Sequence, residues 1–500
     1  MMSTAGELFI GLDVGTSGVK GALCTRDGEV LTRSREPITL SRPNPGWAEH
    51  DPEEWWDAVG RIVRRLLGGE TGTRGRVAAV GISGVCPVLV PMDAAGSALR
   101  PAIMYSIDER AKTQVERLRS AFDAADIHRR SGQGLGSQNL LAKAMWLREN
   151  EPGVWSSTCT LLGSTGYLVH RLTGAMTVDH FSAADGGLGY RLEARDWDLE
   201  AFRVADIDPS LMPALHWPCE RAGVVHAQAA DQTGLAEGTP VIVGTGDALA
   251  DLVATGARRT GEGALLYGTS MSTMVLAATP SGSDAVVNVP GWQPEQLVRS
   301  VILPTGIGLF EWWARWTGAP WHDDSLVDVN AALARSAPGA QGLTHLPYLA
   351  GGRTHLPDGA LLGMRAAHSA DDRTRAIAEG LAHALRAQLG DEGMPHDIRA
   401  IGAGSSIPEL VQLITDVCGF RQTVLSGGTD AAVGSARLAL EGMHPAAGPW
   451  GAPTAENFDP SPSRRAIHDA GQRRFDAAAR SLSSLTVSAG TASEEGRTDA

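Results

Sequence analysis

Leu8-Phe9-Ile10-Gly11-Leu12-Asp13-Val14-Gly15-Thr16-Ser17-Gly18-Val19-Lys20 lies at the start of the chain. Its first five residues read as a buried strand. Asp13 stands at the end of that strand, and a Gly-Thr-Ser turn follows. Glycine in a tight turn lets backbone N–H groups converge on an anion, and hydroxyls beside it add donors at short reach. The triplet recurs as Gly268-Thr269-Ser270, after the apolar run Ala264-Leu265-Leu266-Tyr267. Two such turns, far apart, predict a duplicated phosphate grip. No Walker A sequence is present, so a P-loop is not the explanation. The plain alternative is an ordinary hairpin with an Asp cap.

Five hundred residues exceed one hydrophobic core, so two large domains are expected. A hydrophobic fraction of 43% with 20% charged residues suits a globular chain. The net charge of -14 disfavours nucleic acid and anionic membranes as partners. It does not exclude an anionic ligand, because local loops hold phosphates. Cys24, Cys86, Cys159, Cys219 and Cys418 are scattered without a C-x-x-C pair. That pattern suggests neither a zinc site nor a disulfide framework, and a cytoplasmic protein is expected. No signal-like leader and no apolar run of ~18 residues is visible, so no membrane span is expected.

Outward from the first turn, strands are expected at 7–13, 19–25 and 29–34, with Asp27-Gly28 as a hairpin signal. A helix is expected over 52–67, with Asp51 as N-cap and Pro52 in first position. Residues 77–82 read as a buried strand, 161–171 as a buried helix, and 240–244 as a strand ending at Thr245-Gly246-Asp247. The strand–turn pattern resumes at Ala264. An amphipathic helix is expected over 374–389, a strand over 399–402 and a helix over 408–418. Residues 464–485 read as a closing helix, and 486–500 as a disordered tail.

Asp13 is placed to hold a magnesium ion, directly or through water. Asp247 ends an apolar strand among glycines, where a carboxylate can accept the proton of a hydroxyl that attacks a γ-phosphate. The loose transition state makes a carboxylate near its reference pKa of ~3.9 a sufficient base. The plain alternative is an Asp capping the helix that starts near Leu249. Gly402-Ala403-Gly404-Ser405 can lie under a nucleotide. Gly132-Gln133-Gly134-Leu135-Gly136 and Thr305-Gly306-Ile307-Gly308 look similar and are weak signals. Trp312, Trp313, Trp316 and Trp321 could line a pocket, but at this spacing a helix's core face is the expectation.

Together these segments resemble the FGGY carbohydrate kinase family, most closely its xylulokinase branch. The resemblance covers roughly 8–440. Its most specific piece is Ser41-Arg42-Pro43-Asn44-Pro45-Gly46-Trp47-Ala48-Glu49-His50-Asp51-Pro52. Residues 101–110, Lys143 with Trp146, 346–353, and Gln412 with Asp416 match further parts. The implied fold is α/β, with two actin-like (ribonuclease H-like) domains and an interdomain cleft for ATP and sugar. The expected boundaries are 7–251 for sugar and transferred phosphate, 252–445 for nucleotide and 446–485 for a closing segment. By the resemblance Asp247 is the catalytic base and also contacts substrate, and Asp13 organises Mg2+. Thr16, Ser17 and Lys20 face the transferred phosphate. Gly268, Thr269, Ser270, Gly306, Gly402, Gly404 and Ser405 cradle ATP. Cys86, Pro87, Asp108 and Arg110 line the sugar site. The expected partner is a small-molecule sugar, and a homodimer is compatible with the family.

The chain departs from the family where the acceptor is read. Xylulokinases usually carry Gly-Gln-Met-His-Gly, whereas this chain has Gly84-Val85-Cys86-Pro87-Val88. The imidazole that would bind a sugar hydroxyl is absent. Ala248 stands where Asn or Gln is common, and Ala403 replaces a glycine on the ATP side. Losing hydroxyl partners changes discrimination by several kcal/mol. The reading is therefore a kinase for the primary hydroxyl of a ketopentose such as D-xylulose. Alternatives are another pentulose, a deoxy-sugar or polyol, or a non-catalytic sugar or nucleotide sensor.

Overall fold

The strand Leu8–Val14 is buried along its whole length, because it is flanked on both sides within a sheet. It pairs antiparallel with Gly18–Thr25, which sets Asp13 opposite Lys20. On its other side it runs parallel to Val77–Gly84, which sets Asp13 opposite Ser83. The sheet order is Arg221–Val224, Pro240–Ile242, Val77–Gly84, Leu8–Val14, Gly18–Thr25, Val30–Pro37, and Thr245–Gly246 also pairs with Val77–Gly84. This is a computed structural model, and it describes residues 6–68, 74–322, 324–349, 359–390, 395–425, 430–448, 450 and 454–494.

The helix Pro52–Leu67 forms as expected, with the Asp51 side chain accepting the Glu53 N–H. Its apolar stripe packs Trp55, Val59, Ile62 and Leu66 into the core under the sheet. Residues 161–171 are not one helix. Thr160–Leu162 is a short strand and Ser164–Thr173 the helix, with Gly163 between them. A brief apolar run does not tell strand from helix by periodicity.

The helix Ala431–Met443 lies on the same sheet at glycine-only distance. A Cβ on Gly11 would sit 1.7 Å from the Ala432 carbonyl oxygen, and one on Gly81 would sit 1.9 Å from that of Ser435. Gly434 in turn faces the Ala250 carbonyl of the helix Asp247–Ala254, with 1.8 Å for a Cβ.

The chain divides into two compact units. One comprises Met1–Thr260, Leu276–Val298 and Thr429–Ala452; the other comprises Gly261–Val275, Arg299–Gly428 and Pro453–Ala500. The units are thus discontinuous, whereas the boundaries expected at 251/252 and 445/446 were linear. The packing of Ala431–Met443 on Leu8–Val14 and Val77–Gly84 accounts for its place in the first unit.

The second unit repeats the layout of the first. Glu262–Tyr267 pairs antiparallel with Met271–Ala277 and parallel with Asp397–Ile401. Arg421–Leu425 and Thr454–Phe458 continue the sheet. The helix Ala370–Leu389 starts at a capping box of Ser369 and Asp372, and Pro408–Cys418 is helical as expected. The final helix runs Arg465–Glu494, so most of the expected disordered tail is helical; residues 495–500 lie outside the described residues. In the helix Gly308–Trp316 only Leu309 and Phe310 are buried. Trp312 and Trp316 are exposed and stacked on each other, contrary to the core-face expectation. Among the described residues no helix is long and apolar enough to cross a membrane.

Candidate active site

The first Gly-Thr-Ser turn closes with the Gly15 N–H donating to the Gly18 carbonyl at 3.0 Å. Thr16 Oγ1 lies 3.3 Å from the Tyr105 hydroxyl. Ser17 Oγ accepts from Arg35 Nη2 at 3.2 Å. Asp13, 2% exposed, does not cap this turn. Its Oδ1 accepts the Ser83 hydroxyl at 2.9 Å, and its Oδ2 lies 3.8 Å from Lys20 Nζ. Burial raises its pKa to about 7, helped by the charge of Asp247 and opposed by Lys20 and the Ser83 hydrogen bond.

Thr245 and Gly246 run parallel to Ser83 and Gly84. Asp13, Ser83 and Asp247 are therefore gathered at the carboxyl ends of parallel strands, where open α/β sheets place their ligands. Asp247 opens the helix Asp247–Ala254. Its Oδ1 accepts only the adjoining Ala248 N–H, at 2.8 Å, and Gly246 holds the N-cap position without a side-chain cap. Its pKa is not near the reference value. Burial pushes it up to about 6, with the Ala248 N–H and Lys20 pulling down and Asp185 pushing up. One turn on, burial and the charges of Asp13 and Asp247 push Asp251 well up. Asp430 caps Ala431–Met443 through the Val433 N–H at 3.1 Å and pairs with Arg33.

Cys86 is half-buried and Pro87 buried. Cys86 Sγ donates to Asp185 Oδ2 at 3.3 Å. Burial and the charges of Asp185, Asp247 and Asp179 hold the thiol far above its usual pKa, so it is a donor and not a nucleophile.

In the second unit three glycine loops meet on Tyr267. The Gly306 N–H donates to the Thr269 carbonyl at 2.7 Å, and the Ile307 N–H to that of Gly268 at 2.9 Å. Gly402, at φ +92°, lies against the Tyr267 carbonyl with 2.9 Å for a Cβ. Gly404 packs on Ile307 and Tyr267, leaving 2.5 Å and 3.0 Å for a Cβ. Ser405 Oγ donates to the Gly402 carbonyl at 2.7 Å. Thr269 and Gly402 stay exposed, and Gly268, Ser270 and Ser405 half-buried. Such close approach of glycine backbone suits loops that cradle a polyphosphate ligand.

Residues 8–254 match the N-terminal domain of the FGGY family of carbohydrate kinases. The first part of the chain therefore carries that domain. An Escherichia coli (strain K12) xylulose kinase is 29% identical over 457 residues, which are 88% of this chain and 90% of that protein. The crystal structure of xylulose kinase from Rhodospirillum rubrum matches with a TM-score of 0.91 at 29% identity, covering 96% of this chain and 99% of that one. Gluconate kinase from Lactobacillus acidophilus matches at 0.86 and 22% identity, over 95% and 98% of the two chains, a likeness of fold alone.

Two residues expected to line the sugar site are engaged within the protein. Asp108 accepts the Ala48 N–H at 2.7 Å and takes Arg110 Nε and Nη2 on its carboxylate. Arg110 also pairs with Glu49 at 2.8 Å and lies 4.1 Å over the Trp47 ring. Both side chains are 0% exposed. They hold the Trp47-Ala48-Glu49 segment together. Lys143 is likewise buried, its Nζ donating to the carbonyls of Met104 and, at 2.9 Å, Tyr105.

The sequence reading missed Ser83, Tyr105 and Asp185. Ser83 was legible only as a small residue at a strand end. Asp185 had no signal beyond an acid before Gly186-Gly187. Residues 350–353 of the expected signature lie outside the described residues.

Proposed function

We propose that this protein transfers the γ-phosphoryl group of ATP to a primary hydroxyl of a ketopentose such as xylulose, with Asp247 as general base. The observation that carries the reading is the meeting of Asp247 with Asp13 and Ser83 at the ends of parallel strands, with Lys20 opposite Asp13 on the antiparallel neighbour. A carboxylate with a pKa of about 6 is ionised at neutral pH yet binds a proton more strongly than a free aspartate. That suits it to take the hydroxyl proton as the acceptor oxygen approaches phosphorus. Thr16, Ser17 and Lys20 would hold the oxygens of the group in transfer. Gly268, Thr269, Ser270, Gly306, Gly402, Gly404 and Ser405 would hold the nucleotide phosphates.

A magnesium ion fits Asp13. The charge of Asp247 raises the proton affinity of Asp13, and both raise that of Asp251, so a cation among them relieves repulsion. Among the described residues no cluster of acid, His or Cys side chains forms a metal cage by itself. That agrees with the habit of Mg2+, which takes one or two carboxylates and completes its shell with water and substrate phosphate. When bound, the ion would neutralise charge on the phosphates. We assign the first unit to acceptor and transferred phosphate and the second to nucleotide. A homodimer in the cytoplasm completes the proposal.

A coupled assay of ADP release over ketoses, polyols and deoxy-sugars tests the reading. Turnover is expected on xylulose or a near relative and is expected to vanish with a chelator. ATP binding without phosphorylation of any acceptor would favour a sensor instead.

A further inference from the structure

Asp185 ends the helix His180–Asp185 and is held from two sides. Gln133 Nε2 donates to the carbonyls of Ala184 at 2.7 Å and Asp185 at 3.0 Å. Asn139 Nδ2 donates to those of Gly186 and Leu188. The glycine-rich segment around Gln133, a weak phosphate signal in the sequence, thus fixes the backbone of this acid. The carboxyl itself meets the Cys86 thiol. Cys86 in turn abuts the residue before Asp247, since a Cβ on Gly246 would lie 2.3 Å from its sulfur. Asp185 is also among the charges that raise Asp247. Asp185 and the start of the helix Asp247–Ala254 therefore both lie against the Cys86 sulfur.

We propose that Asp185, steadied by the Cys86 thiol, reads a second acceptor hydroxyl, one that is not phosphorylated. This rests on Asp247 being the base. A thiol is a weak donor. It is the one side chain among the described residues with a hydrogen bond to the Asp185 carboxyl. The half-buried Asp185 carboxyl thus has no strong donor among the described side chains. Burial and the nearby Asp179 push its pKa up to about 6, against the Cys86 hydrogen bond. An acceptor O–H supplies the missing strong donor. A carboxylate thus takes up the hydroxyl-reading task that an imidazole would perform, and it selects an acceptor with a hydroxyl there over a deoxy analogue.

The test compares wild type with Asp185→Asn on the acceptor found by ADP release and on its set of mono-deoxy analogues. The acceptor KM is expected to rise about tenfold or more, the scale of one lost charged hydrogen bond, with a much smaller change in kcat. On one mono-deoxy analogue the difference between the two proteins is expected to disappear. Equal KM values on every acceptor, or an equal rise on every analogue, would overturn the proposal. So would a collapse of kcat without a rise in KM. Should Asp185→Asn not fold, Cys86→Ala carries the test: KM is expected to rise on the same acceptor, with Cys86→Ser restoring it. Asp247→Asn measured in parallel separates the two claims. Full turnover there removes the base, whereas the KM pattern bears on Asp185 alone.

Discussion

Gly11 shows how much one missing side chain can decide. In the sequence it is a small residue inside an apolar strand. In the structure it is the point where the Ala432 carbonyl touches the sheet, with 1.7 Å left for a Cβ. The obstructing atoms are backbone, so they cannot move aside cheaply. Gly11→Ala is expected to cost about 3 kcal/mol or more, seen as a lowered midpoint in denaturant. Wild-type stability would mean that the helix does not lie there. Asp13 and Asp247 were legible because each ends an apolar strand beside glycines. Their raised proton affinities were not, since those come from burial and mutual repulsion that only the folded chain creates. Asp185 was hidden for the same reason: its partner Cys86 is remote in sequence, and no local pattern marks the pair.

Elements were legible where local signals agreed. The helix Pro52–Leu67 has an Asp cap, a Pro start and an apolar stripe, and Pro408–Cys418 has a Pro start and a glycine stop. They failed where a short apolar run stood alone, as at Thr160–Leu162, or where tryptophans suggested a core face that Leu309 and Phe310 occupy. The helix Ala370–Leu389 rests on its capping box. Ser369→Ala is expected to cost about 1 kcal/mol, readable as a fall in thermal midpoint.

Beside that helix, the strand Thr344–Leu346 buries His345 to 2% exposure. The His345 Nε2 accepts from Trp313 at 3.3 Å, and its Nδ1 has no hydrogen-bond partner among the described residues. Burial lowers its pKa from 6.5 to about 4. Between those values the unfolded chain binds a proton that the folded chain refuses. Stability is therefore lost as pH falls through that window, by about 3 kcal/mol in full. His345→Gln is expected to lose less stability than wild type between pH 7 and 4.5 in denaturant titrations. Equal losses would remove the histidine from the acid limb.

For the whole molecule, the sequence reveals the duplication, since each unit carries a Gly-Thr-Ser turn between antiparallel strands. It does not reveal the division of the chain, because Ala431–Met443 returns to the first sheet from the far end of the sequence. A chain ending at residue 428 should accordingly lose the fold of its first unit. Rapid digestion of residues 1–260 by a protease is expected, and resistance equal to that of the full chain would contradict it. The central claim is that one carboxylate at the end of a parallel strand drives phosphoryl transfer. Steady-state ADP release by Asp247→Asn, with the acceptor the wild type uses, tests it most directly. The account predicts a kcat at least about 10²-fold lower, with ATP still bound. Undiminished turnover would contradict it.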